Sequence, residues 1–234
     1  DCVEERKRSH MITIATLLSA ASLVPPTGVR HASPRMQAAV LSDELQSALD
    51  SLPVFTVANG EGQPLQYQIG QQKGAVFYAD VDAAKTQLAA ESKAYPDLEC
   101  DLINVGLGSA YKLAAENKGL IVPGIEQLVA AGAPEDANPM GQELPLFACL
   151  SMSRENENEL KLFMSHADCA AEVANDDACA TENGCEILPF PLSSVVQDSG
   201  SAAFKFAAPS SSLQHTESYL GKGVYFRKVD DDEE

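Results

Sequence analysis

A chain of 234 residues, 45% of them hydrophobic, can bury a core as one large domain or two small ones, which excludes an intrinsically disordered protein. Its 16 Lys and Arg stand against 34 Asp and Glu, a net charge of −18, which excludes a basic phosphate-contacting face and with it nucleic-acid binding. Residues 1–35 hold five of the basic and three of the acidic residues, leaving 11 and 31 for the rest, so a charge of −20 belongs to the folded part.

Between Arg6 and Ser42 there is no acidic residue. An apolar run, Met11 to Val24, follows the cluster Arg6-Lys7-Arg8 and stops at Pro25-Pro26. It falls short of the roughly 20 residues a membrane span requires and matches the apolar region of a targeting signal. The Arg- and Ser-bearing piece TGVRHASPRMQAAV has the composition of an organelle transit peptide, so residues 1–35 are expected to be a targeting leader. Over 36–52, Met36, Val40, Leu41, Leu45, Ala48 and Leu52 recur at helical spacing and predict an amphipathic helix.

The stretches VFTVAN, LQYQI and AVFYA are short, β-branched or aromatic, and bounded by Gly, Pro or Asn; they predict strands, with NGEGQP turning the first into the second. Asp82 is the expected N-cap of a helix over AAKTQLAAESKAY, with Pro96 beyond its end. DLINVGL predicts a strand, and SAYKLAAENKG a helix capped by Ser109 and ended by Gly119. LIV predicts a strand that leads through Pro123 into a helix over GIEQLVAAG.

The chain then repeats itself. LPVFTV from Leu52 is echoed by LPLFAC from Leu144, VFYADVDAA from Val76 by LFMSHADCAA from Leu162, and CDLINVGLGSAY from Cys100 by CEILPFPLSSVV from Cys185. LIVPGIEQLVAAG from Leu120 is echoed by FAAPSSSLQHTESYLG from Phe206. The order is kept throughout, so the expected fold class is α/β, with two tandem copies of a hairpin/strand/helix unit over 50–144 and 144–228. Phe77 aligns with Phe163 and Asp82 with Asp168, which is expected to begin a shorter helix. Pro189 and Pro191 put the second cysteine strand at an edge or make it irregular. A closing strand is expected in GKGVYFRKV, and a solvated acidic tail over 229–234.

No reactive constellation stands out. GLGSA lacks the second glycine of a nucleophile elbow, and GQPLQYQIG and GQQKG lack the spacing of a phosphate loop. Outside the leader only His166 and His215 remain as bases, and His166 with Cys169 is the one conceivable dyad. No Cys-x-x-Cys pair occurs among Cys2, Cys100, Cys149, Cys169, Cys179 and Cys185, so no metal site is expected. A disulfide could close the loop around DDACATENGC in an oxidising compartment; small buried residues or free thiols are the preferred reading. No catalytic, cofactor-binding or metal residue is therefore assigned, and the chain is not expected to be an enzyme.

LPVFTVANGEGQPL, then GAVFYADVDAAKTQL, LGSAY and GLIVP, resembles the Tic-twenty-two family of soluble plastid envelope import components and cyanobacterial periplasmic proteins. The resemblance covers about residues 50–228 and implies a single α/β body of two pseudo-symmetric halves that binds polypeptides without catalysis, as a chaperone. It implies no catalytic residues. It implies an apolar binding surface between the halves, for which the candidates are Phe55, Phe77, Tyr78, Leu107 and Tyr111 in the first copy. Their counterparts are Phe147, Phe163, Leu192 and Val196. Cys149, Cys169, Cys179 and Cys185 depart from the family pattern. The expected function is a polypeptide-binding component of plastid protein import, peripheral to a membrane in the envelope intermembrane space, with preproteins or translocon components as partners. The alternative is a structural linker between photosystem and antenna subunits at the thylakoid.

Overall fold

The computed structural model describes residues 41–152, 159–177, 179, 185–198 and 203–220. The expected leader, the start of the amphipathic helix, the closing strand in GKGVYFRKV and the acidic tail lie outside the described residues.

The chain opens with α1 (Asp43–Asp50), then β1 (Pro53–Ala58), β2 (Tyr67–Ile69), β3 (Gln72–Tyr78), α2 (Val81–Ala94), β4 (Asp101–Gly106), α3 (Leu107–Ala115), β5 (Gly119–Val122) and α4 (Ile125–Ala130). It continues with β6 (Pro145–Cys149), β7 (Glu159–Phe163), α5 (His166–Ala174), β8 (Ile187–Pro191), α6 (Leu192–Asp198), β9 (Ala203–Ala207) and α7 (Ser210–Leu220). The expected α/β class is the observed one. Local chemistry sets several boundaries. Ser42 caps α1 by accepting from the Leu45 amide at 3.2 Å, and Asn59 Oδ1 turns the chain after β1 by accepting from the amides of Glu61 and Gln63.

Three N-cap assignments differ from expectation. Asp80, not Asp82, caps α2, its carboxylate accepting from the amides of Asp82 and Ala83 at 2.7 and 2.9 Å. An Asp at either position suits the positive end of the helix, so composition did not separate them. The α3 helix has Gly106 as its N-cap, with no side-chain cap, and Ser109 lies inside its first turn, its amide donating to Asp50 Oδ1 at 2.8 Å. In the second half Ser165 caps α5, and Asp168 is turned to another use described below.

In the first sheet β1 pairs antiparallel with β3 and β4, β3 pairs parallel with β5, and β2 folds back on the start of β3. In the second, β6 pairs antiparallel with β7 and β8, and β7 pairs parallel with β9. The ladders β4–β1–β3–β5 and β8–β6–β7–β9 have the same order and sense. Pro53 opposes Gly106 as Pro145 opposes Pro191, and Phe55 opposes Tyr78 as Phe147 opposes Phe163. Tyr78, one residue on from Phe77, takes the ladder place of Phe163. The two prolines sit in β8, which among the described strands pairs with β6 alone, the edge position that lets a strand forgo amide donors.

Each sheet is covered on both faces. The inner faces share one core, in which Val54 and Phe77 of the first sheet meet Leu146, Leu160, Leu162 and Phe190 of the second, with Leu107, Tyr111, Leu192 and Val196 from α3 and α6. The outer face of the first sheet buries Phe55, Val57 and Leu102 beneath Val81 and Ala84 of α2. The outer face of the second buries Phe147 and Phe163 with Cys169 of α5. Double coverage explains why all six residues of β1 and all five of β6 are buried instead of alternating.

The helices α4 and α7, the last described in each half, reach across to the other half. The His215 ring of α7 meets Phe55 edge-on at 5.4 Å, on the outer face of the first sheet. Gln127 of α4 accepts from the His166 amide at 2.8 Å, and Ala131 packs into the cluster around Phe147 and Phe163. The halves form one body because each completes the other's outer layer.

Candidate polypeptide-binding cleft

Eight of the nine candidate surface residues are core. Phe55, Phe77, Leu107, Tyr111, Phe147, Phe163, Leu192 and Val196 are at most 4% exposed, and Tyr78 is half-buried against Phe55 and Val57. They hold sheets and helices together and do not form a groove. The physical reason is the double coverage of each sheet, which buries aromatic residues on both faces.

An open concavity among the described residues lies elsewhere. A cleft of about 760 Å³ runs between the β2–β3 turn, the end of α3 with β5, and the segment 140–144 that leads into the second half. Its apolar lining comes from Ile69, Leu120, Ile121, Met140, Leu144 and Leu192. Leu192 is the one residue of the sequence-based set that reaches it.

The polar lining is amide-rich: Gln68, Gln71, Gln72 and Gln142, with Asn117. Each side-chain amide offers both donors and an acceptor without charge, the complement of a peptide backbone. Among the described lining residues Glu143 is the one ionisable side chain, and none carries a hydroxyl, thiol or imidazole. Such a surface can bind and orient an extended chain. Behind it, burial and then the negative charge of Glu143 push the Tyr111 phenol up, so that side chain stays neutral.

Local structure shapes this wall. Gly70 takes a left-handed φ of 62° in the tight β2–β3 turn. Asn117, at φ 59°, reverses the chain after α3, the role expected of Gly119. Gly119 has a different reason to be glycine: a Cβ there would lie 2.7 Å from Cε2 of Phe77. Among the described strands β5 pairs only with β3, so it is the end strand of its ladder, and residues 119–121 border the cleft. An end strand beside an amide-lined cleft suits an extended chain, which can add main-chain hydrogen bonds.

Met140 is 48% exposed in the cleft, a flexible apolar contact. Neither it nor the glutamines stood out in the sequence. Gln68 and Gln72 flank the tight β2–β3 turn that holds Gln71, Met140 and Gln142 lie on an aperiodic connector, and the signal in the sequence was a cluster of glutamines around Gly70.

The conceivable dyad does not form a reactive pair. Burial, reinforced by nearby Cys149, pushes the Cys169 thiol up to about 11, the reverse of nucleophile activation, and the His166 ring packs edge-on against Phe147 at 5.2 Å. The loop cysteines also differ from the preferred reading: Cys179 and Cys185 are joined in a disulfide, while Cys100, Cys149 and Cys169 are free. Among the described residues, no helix is long and apolar enough to cross a membrane.

Two halves with matching ladders, each capped by the other's last helix, define an architecture that can be compared with solved structures. Tic22 from Plasmodium falciparum superposes with a TM-score of 0.63 at 17% identity, over 77% of this chain and 99% of that one. Tic22 from Anabaena, described as a protein-transport protein, superposes with a TM-score of 0.57 at 16% identity, over 76% and 98%. The chain has the Tic22 fold. The sequence resemblance implied that fold, and at these identities the likeness to the solved Tic22 structures is one of architecture. No protein-family model and no curated protein matches the chain by sequence.

Proposed function

We propose that this protein is a non-enzymatic, chaperone-like polypeptide-binding component of protein transport, acting at a plastid membrane without spanning it. The observation that carries the reading is the cleft: amides and aliphatic groups along an end strand, with no hydroxyl, thiol or imidazole among the described lining residues. The Tic22 fold supports it, since the Anabaena protein that shares this fold is a protein-transport protein. The charge of −20 outside residues 1–35 adds a long-range attraction for basic, hydroxyl-rich targeting peptides, which salt weakens by screening.

The test is fluorescence anisotropy of a labelled basic, Ser-rich peptide with the full chain. Binding that weakens severalfold from low to high ionic strength, yet does not vanish, supports charge steering onto an apolar and amide surface. No binding, or affinity independent of salt, contradicts it.

A further inference from the structure

Three cysteines that the polypeptide-binding reading leaves unused converge at one end of the second sheet. Cys149 ends β6 and is buried; Cys179 lies beyond α5 and is buried; Cys185 precedes β8 and is half-buried. The β6–β8 ladder ends at the pair Cys149–Ile187, which brings Cys185 beside Cys149 although the two lie far apart along the chain. Cys149 Sγ lies 3.9 Å from Cys179 Sγ, and the three sulfurs lie within 4.8 Å of one another. A disulfide needs two sulfurs, and the core position at 149 could be filled by any small apolar side chain; a third sulfur at this spacing serves neither purpose.

We propose that Cys149, Cys179 and Cys185 form a redox-gated thiolate site for a zinc-class cation, closed in the disulfide form and opened by reduction. Zinc–sulfur bonds of about 2.3 Å at tetrahedral angles set sulfurs about 3.8 Å apart, close to the Cys149–Cys179 separation. Three protein thiolates leave the fourth position open to a water or an exchangeable ligand, and the half-buried Cys185 gives the ion its way in.

Gating follows from the bonding. While the Cys179–Cys185 bond exists, two of the three ligands are spent on each other. A dithiol reductant delivers two electrons and two protons to that bond, leaving as its own cyclic disulfide and giving two Cys thiols. Zinc then displaces one proton from each of the three thiols and forms three Zn–S bonds. In the reverse sense a disulfide oxidant takes two electrons from the Cys179 and Cys185 thiolates and two protons from solvent, leaving as two thiols while the Cys179–Cys185 bond re-forms; Cys149 regains a proton and the ion is released.

The experiment uses the full, untagged chain and cobalt(II) as the spectroscopic probe, in parallel reduced and disulfide samples. The expected result is one cobalt per reduced chain, with thiolate-to-metal charge-transfer absorption, displaced by one equivalent of zinc, and no uptake by the disulfide form. Cys100→Ser, in the distant outer cluster of the first sheet, leaves uptake unchanged. Cys149→Ser abolishes it, and Cys185→Ser abolishes it without disturbing a core position. A reduced wild-type chain that binds no cobalt, a disulfide form that binds it equally, or undiminished uptake by Cys185→Ser overturns the proposal.

Discussion

The Tyr219 hydroxyl donates to Asp101 Oδ1 at 2.5 Å across 118 residues of sequence, tying the end of α7 to the first residue of β4. The same carboxylate oxygen accepts from the Leu102 amide at 2.8 Å, so it is held in place. This contact locks the second half's last helix over the first sheet. The hydrogen bond to Asp101, with burial and the carboxylate charge, raises the Tyr219 phenol from 10.0 to about 12. A raised pKa means that the native state holds the proton more tightly than the unfolded chain does. The contribution is whole below pH 10 and disappears as pH rises toward 12. Tyr219→Phe is expected to cost about 1–2 kcal/mol at pH 8 in urea unfolding, with the difference from wild type shrinking between pH 10 and 12.

Asp168 joins two helices. Its carboxylate accepts from the Ser210 amide at 2.9 Å and the Ser210 hydroxyl at 2.7 Å, fixing the start of α7 beside α5. Burial alone would raise its pKa, but the bonds from Ser210 and Ser165 outweigh burial and hold it below the usual carboxylate range. A lowered pKa gives stability that is present above the unfolded value and lost as pH falls through the folded one. Asp168→Asn is expected to destabilise by about 1–2 kcal/mol at pH 7, with the gap closing below about pH 4, as measured by chemical denaturation across that range.

Gly119→Ala tests the packing behind the cleft. The added Cβ would press on the buried Phe77 ring, which is packed in the shared core and has little room to give. A loss of about 1–3 kcal/mol is expected in urea unfolding, with an unchanged denaturant slope, because the fold is retained.

Met140 and Phe55 separate surface from core. Met140→Ser is expected to weaken peptide binding while changing stability by no more than about 0.5 kcal/mol, since the side chain is half exposed. Phe55→Ala removes a buried ring from beneath α2 and is expected to cost about 3–5 kcal/mol of stability. Anisotropy and thermal unfolding on the same samples distinguish the two.

Much of the fold is legible because its strands and helices carry strong local patterns. The first-half strands are visible in their β-branched and aromatic runs, and the end-strand character of β8 in Pro189 and Pro191. What local pattern does not carry is which of two neighbouring residues faces a partner: Asp80 or Asp82 at the start of α2, Phe77 or Tyr78 in the ladder. Glycine is ambiguous in the same way, for Gly119 reads as a helix stop and is in fact a contact with Phe77. The candidate site was legible least. Aromatic residues on strands are conspicuous in a sequence, yet a sheet covered on both faces buries Phe55, Phe77, Phe147 and Phe163 alike, and the cleft takes much of its lining from a tight turn and a connector without period. The cysteine cluster was hidden for a related reason: Cys149 and Cys185 meet through the β6–β8 register, which spacing along the chain does not reveal.

Hydrogen exchange with and without a basic, Ser-rich peptide tests the central claim most directly, because it reports where an extended chain sits. The account predicts slowed exchange over residues 119–122 of β5 and over 140–144, with the outer faces under α2 and α5 unchanged. Protection confined to α2 or α5, or no protection while the peptide is bound, would contradict it.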